Sequence, residues 1–137
     1  MKQLSVFLEN EPGRLLKMTE ILGKNKINIR AIAIAETEKY GVVRMVVNNE
    51  TLAEKVLKEA GLVCQGTEVI AVEIPDIPGG LAGILKGFEK ADANIEYMYG
   101  FMEHETDKAI MIFRFKDTDK ARKILEASGV AIYEKEL

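Results

Sequence analysis

The chain repeats itself. Pro12-Gly13-x-Leu15 returns as Pro78-Gly79-x-Leu81, and Ile27-Asn28-Ile29 returns as Ala93-Asn94-Ile95, both 66 residues later. Ala53, Val56, Leu57 and Gly61 return as Ala121, Ile124, Leu125 and Gly129 at a spacing of 68. Matching order in both halves predicts two like domains, 1–66 and 67–137, with the two extra residues taken up by a hairpin at Glu103 to Lys108. A copy this small buries only ~60% of the surface its unfolded chain exposes, so each gains by docking onto its twin. Gln65-Gly66-Thr67 is read as the connector, too short to act as a flexible tether before the next strand.

Within a copy the hydrophobic period changes in a regular order. Leu4, Val6 and Leu8 alternate with Ser5, Phe7 and Glu9 as a strand does, and Leu15, Met18, Ile21 and Leu22 then recur at helical spacing. Ile29 to Ala35 and Val42 to Val47 return to a period of two around Tyr40-Gly41, which predicts a hairpin. Asn48-Asn49-Glu50-Thr51 offers caps for a helix carrying Leu52, Val56 and Leu57; Gly61 ends it, and Leu62 to Cys64 is again apolar. The second copy predicts the same series over Val69 to Ile74, Leu81 to Phe88, Ile95 to Met102, Ala109 to Phe115, Asp119 to Glu126 and Val130 to Tyr133. The fold class is therefore α+β: two tandem ferredoxin-like βαββαβ domains, each an antiparallel sheet with its helices on one face.

Composition narrows the chemistry. With 19 basic against 22 acidic side chains the net charge is −3, and no basic stripe is present to neutralise phosphates, so nucleic acid is not an expected partner. No apolar run approaches the ~20 residues of a membrane span, and Met1-Lys2-Gln3-Leu4-Ser5 does not open a secretory leader, so a cytoplasmic setting is expected. Cys64 and His104 are single, which excludes an intramolecular disulfide, a Cys-x-x-Cys pair and the common Cys/His zinc sites; no metal and no cofactor is expected. Gly79-Gly80-x-x-Gly83 fails the dinucleotide-binding spacing, and a Ser-His-Asp arrangement could draw only on His104. The chain is not expected to be an enzyme.

Function must then be sought in the loops between the first strand and first helix of each copy: Glu9-Asn10-Glu11-Pro12-Gly13-Arg14-Leu15 and Pro75-Asp76-Ile77-Pro78-Gly79-Gly80-Leu81. Proline suits a helix start because its φ is already helical and its missing N–H would be unpaired there. Glycine beside it lets a ligand approach the backbone. Unpaired N–H groups at the positive end of a helix receive a carboxylate or phosphate, while Asn10 or Asp76, just ahead, could cap the helix or accept from an ammonium group.

These loops, the Asn28-Ile29 and Asn94-Ile95 pairs and the element order resemble the ACT domain, a small ligand-binding module that regulates enzymes of amino-acid metabolism, and in particular the stand-alone proteins made of two tandem ACT domains. In serine-binding members the amino acid sits where two domains meet, held by the loop Asn, by the Asn that opens the second strand and by loop backbone. Carried over by position, the resemblance implies ligand contacts from Asn10, Glu11, Pro12, Gly13, Arg14, Leu15 and Asn28 in the first copy. In the second it implies Asp76, Ile77, Pro78, Gly79, Gly80, Leu81 and Asn94. A histidine of that branch, two residues before the loop Asn, falls here on Leu8 and Ile74, which leaves the ligand's side chain unspecified.

An amino acid of about ten heavy atoms held in this way would bind at roughly −5 to −8 kcal/mol, about 200 to 1 μM, the range of a metabolite sensor. The expected function is a regulatory protein that binds a free amino acid between ACT-like domains. A homodimer or higher assembly is expected, because two copies leave sheet edges and apolar strand faces such as Tyr97/Tyr99 to cover. Two other readings of function stay open: a regulatory subunit or interaction module that docks on an amino-acid-metabolism enzyme without a ligand of its own, and a small ferredoxin-like isomerase. Single residues also have plainer readings: Asn28 and Asn94 as turn formers, Asp76 as a helix cap, Arg14 as a solvated surface residue, Tyr97, Tyr99 and Phe101 as core or dimer interface, His104 as a surface residue and Cys64 as a small apolar one.

Overall fold

The computed structural model describes residues 1–102 and 107–134. Two compact units divide the chain, one over Lys2–Thr67 and a second from Glu68 onward; Met1 goes with the second, its carbonyl accepting from the Val69 N–H at 2.9 Å.

The first unit runs β1 (Lys2–Glu9), α1 (Arg14–Lys24), β2 (Ile29–Glu36), β3 (Tyr40–Val47), α2 (Glu50–Glu59) and β4 (Val63–Glu68). Its sheet has the order β2-β3-β1-β4, with β3 antiparallel to both β1 and β2. Alternation decides which face is buried: Leu4, Val6 and Leu8 of β1 and Val43, Met45 and Val47 of β3 pack with Met18 and Leu22 of α1 and Ala53 and Leu57 of α2. Both helices thus cover one face, as the periodicity predicts.

The second unit runs β5 (Ile70–Pro75), α3 (Gly80–Lys90), β6 (Ile95–Met102), β7 (Lys108–Phe115) and α4 (Thr118–Ser128), with sheet order β5-β7-β6. Its core is aromatic: Phe88 of α3 meets Phe113 and Phe115 of β7 at centroid distances of 5.6 and 4.9 Å, in tilted pairs.

Two expected elements differ. Gln65-Gly66-Thr67, read as a connector because Gly and polar residues punctuate loops, lies inside β4, so Val69 alone separates β4 from β5. Val130 to Tyr133 is not a full strand; Ile132 makes a single antiparallel bridge to Val72, flanked by Glu73 N–H to the Ala131 carbonyl at 3.1 Å and Tyr133 N–H to the Ala71 carbonyl at 2.7 Å. Its apolar side chains Val130 and Ile132 nevertheless pack on the core, as the pattern implies. The expected hairpin tip at Glu103 to Thr106, with His104, lies outside the described residues.

Candidate functional site

The turn from β1 into α1 places Gly13 at the N-cap with φ 84° and ψ −8°, a left-handed conformation that strains any L side chain, and no side chain caps the helix. Gly79 repeats this before α3 with φ 84° and ψ −5°. The other two helices start differently: Asn49 Oδ1 accepts from the Leu52 N–H at 3.1 Å, and Asp117 Oδ1 from the Lys120 N–H at 3.0 Å. Capped and open helix starts therefore alternate along the chain.

At the open starts the Arg14 N–H turns back onto the Glu11 carbonyl at 3.3 Å, and the Gly80 N–H onto that of Ile77 at 3.0 Å. Among the described residues the N–H groups of Leu15 and Leu16, and of Leu81 and Ala82, meet no protein acceptor. Asp76 does not cap α3. Its backbone N–H is held by the Asp107 carbonyl at 2.9 Å, as that of Asn10 is by the Lys39 carbonyl at 3.1 Å, so both loops are pinned to the hairpin of their own sheet while the two residues stay exposed.

Beside the first loop lies a groove of about 200 Å³. Leu8, Leu15, Ile34 and Val43 give it an apolar floor, and Glu9, Asn10, Glu11, Arg14 and Glu36 its polar rim. Arg14 is not a free clamp for an incoming carboxylate, because its Nη2 lies 3.3 Å from both Glu9 Oε2 and Glu11 Oε2. The rim is negative on balance, a surrounding that suits an ammonium group, with the carboxylate left to the backbone N–H groups. Ile34 and Glu36 are contributions that the loop motif alone could not reveal. The alternation of β2 carries that signal, since it turns both toward the helix side of the sheet.

The second loop has its own geometry. Gly80 stands where the first copy has Arg14, and a Cβ there would meet the Pro75 carbonyl oxygen, so this turn folds more tightly onto its strand. The two loops share their hold on the hairpin and the turn at the helix start, but only the first has the Glu11 N–H donating back to the Glu9 carbonyl, at 2.8 Å, and their side chains are unequal.

Asn28 and Asn94 lie elsewhere. Asn28 is fixed by its N–H to Asn48 Oδ1 at 3.0 Å and by its carbonyl accepting from the Asn48 N–H at 3.2 Å; the Asn94 carbonyl accepts from Lys116 N–H at 3.1 Å. Because the helix crossover makes β1 and β2 parallel, the loop after β1 and the residue before β2 occupy opposite ends of the sheet, roughly 25 Å apart at the rise of an extended strand. The same holds for Asp76 and Asn94 about β7. No single unit can bring its loop and its Asn to one small ligand. Asn94 instead borders a wide groove of about 880 Å³ with Arg114, Asp117, Lys120 and Arg122.

Elsewhere, Cys64 is buried in the first core and its thiol donates to the Glu54 carbonyl at 3.7 Å, in keeping with a packing role. Tyr97 and Tyr99 are half-buried, Ile95 and Met98 of β6 pack on the core, and the Phe101 side chain lies outside the described residues. Among the described residues no group of His, Cys, Asp and Glu is placed to hold a metal ion, and no helix is long and apolar enough to cross a membrane.

Comparison with known proteins agrees with this architecture. Among solved structures, a protein from Bacteroides thetaiotaomicron superposes with a TM-score of 0.92 at 36% identity, over 96% of this chain and 90% of that one. The ligand-free regulatory subunit of aspartate kinase from Thermus thermophilus gives 0.69 at 17% identity, over 93% and 90% of the two chains. The corresponding subunit from Thermus flavus gives 0.65 at 14%, over 93% and 92%. At those lower identities the likeness is one of fold. Among curated proteins no sequence match is found. The family model for the ACT domain pair matches residues 1–137, the whole of the duplicated sequence, and the chain belongs to that family.

Proposed function

We propose that the protein is a regulatory sensor that binds a free amino acid at its Pro-Gly loops. The observation that carries this reading is the contrast between helix starts: α2 and α4 are closed by Asn49 and Asp117, while α1 and α3 begin with a left-handed glycine and unpartnered N–H groups. An α-carboxylate satisfies those donors, and the Asn10 amide oxygen or the Asp76 carboxylate accepts from the α-ammonium. In the first copy the apolar floor beside Leu15 and Ile34 receives the side chain. Since Asn10 and Asn28 lie at opposite ends of one sheet, a ligand that touches both lies between two domains, and its binding favours the domain arrangement that brings them together. The role is regulatory and not catalytic, and a cytoplasmic setting goes with it.

Thermal-shift measurement against the twenty amino acids tests the proposal. One or a few should raise the melting temperature at millimolar concentration, by the linkage RT ln(1 + [L]/Kd). Asn10→Ala should weaken the response with the fold intact, and the absence of any response would overturn the reading.

A second reading, a module that docks on an amino-acid-metabolism enzyme, is favoured by Leu16 and Ile77. These stand 61% and 62% exposed beside the two loops, a position where a protein surface could cover them. The regulatory subunits of aspartate kinase that share the fold point to the same kind of partner.

A further inference from the structure

The helix-covered face of the first sheet is built in rows, one residue each from β1, β3 and β2. Leu4, Met45 and Ile32 form one row and Val6, Val43 and Ile34 the next, each with three apolar side chains abreast. The third row, beside the Pro-Gly loop, runs Leu8, Gly41, Glu36. Its middle position has no side chain, and the groove of about 200 Å³ reaches down to Gly41 there.

Neither usual reason for a glycine applies at this position. Gly41 lacks the positive φ of Gly13 and Gly79, and a Cβ on it would come no nearer than 4.0 Å to the Leu8 and Ala35 carbonyl oxygens or to Ile34 Cγ2. The missing side chain leaves room; it does not relieve a clash. The walls of that room are apolar. Leu8 and Val43 are buried, whereas Leu15 and Ile34 are still 39% and 47% exposed and have surface left to cover.

The second unit is built the other way. Its matching row, Ile74, Ala109, Met102, has a Cβ at the centre. Its glycine, Gly100, lies one row further in, and there the Met111 side chain takes the place a Cβ would have.

We propose that the first groove selects an amino acid with a branched aliphatic side chain, which enters the gap above Gly41, and that Gly41 sets the size of that side chain. This deepens the amino-acid-binding reading above and rests on it. With the α-carboxylate on the N–H groups of Leu15 and Leu16, the ligand's side chain lies against Leu15 and Ile34 and stands in for the one missing from the third row. A cationic side chain reaching for Glu36 would meet an exposed carboxylate, where a pair in water gains at most about fivefold. Each methylene withdrawn from water gains roughly fourfold, so a branched chain of three or four carbons outweighs that pair. With strands ~4.8 Å apart the gap is one aliphatic side chain wide, which suits a branched chain better than a ring.

Calorimetric titration of the full chain with alanine, leucine, serine, lysine and phenylalanine tests the proposal. Leucine should bind roughly tenfold or more tightly than alanine, at one per chain. Gly41→Val fills the gap and should weaken leucine roughly tenfold or more while alanine stays within about threefold. Gly41→Ala, which copies Ala109, should fall between, and circular dichroism of both variants should match wild type. Leucine no tighter than alanine, a tighter serine, lysine or phenylalanine, two equal leucine sites per chain, or a folded Gly41→Val chain that binds leucine as wild type does would each overturn the proposal. Should Gly41→Val unfold, Gly41→Ala decides: unchanged leucine affinity there overturns the role of Gly41. The two readings fail separately. Binding led by serine or lysine removes the aliphatic selectivity and leaves the sensor, whereas silence toward all twenty amino acids removes the sensor and the selectivity with it.

Discussion

Cys64 shows how a residue's surroundings set its chemistry. Its thiol lies in the first core, and burial, reinforced by the Glu54 carboxylate, pushes its pKa above the ordinary thiol value. In the unfolded chain the thiol ionises earlier, so between the two pKa values the unfolded state holds fewer protons and stability falls as pH rises. The contribution is whole at neutral pH and is lost above the unfolded thiol's pKa, from about pH 8.5 upward. Urea midpoints across that range should decline more steeply for wild type than for Cys64→Ala, in which the thiol is gone. Equal slopes would show that the thiol ionises as freely in the core as in water.

At the scale of elements, two exposed asparagines ahead of helices do opposite things. Asn49 Oδ1 accepts from the Leu52 N–H and closes α2, whereas Asn10 follows β1 and leaves the cap of α1 to Gly13. Asn49→Ala should cost about 1 kcal/mol of unfolding free energy, while Asn10→Ala should leave the urea midpoint nearly unchanged, and denaturation curves of the two variants decide it.

The sequence shows such differences unevenly. The Asn48-Asn49 cap, the Pro-Gly turns and the order of elements are legible because each is local, set by spacing over a few residues. The extension of β4 through Gln65-Gly66-Thr67 is not, because pairing along β1 outweighs the turn-forming character of Gly66. Nor is the neutralisation of Arg14, which needs the chain to turn at Gly13 before Glu9 and Glu11 can meet it. The separation of Asn10 from Asn28 was within reach: a strand, a crossover helix and a second strand in one sheet must run parallel, which puts the loop at one end and the second asparagine at the other.

At the scale of the whole molecule, duplication has given one fold two different cores. The first is aliphatic, built on Leu4, Val6, Met18, Leu22, Met45 and Leu57, and the second is centred on Phe88, Phe113 and Phe115; the two buried clusters share no residue. Phe88 is 2% exposed and touches both other rings, so Phe88→Ala removes the centre of its cluster and should cost about 3–5 kcal/mol. Where that loss is felt depends on how far each unit stands on its own contacts. With separate clusters, native-state hydrogen exchange of the variant should lose protection in α3, β5 and β7, while the amides of β1 and β3 keep theirs. Equal loss in both halves would mean that the duplicated domains open as one cooperative unit, and that a change at one loop is felt at the other through stability as well as through a ligand.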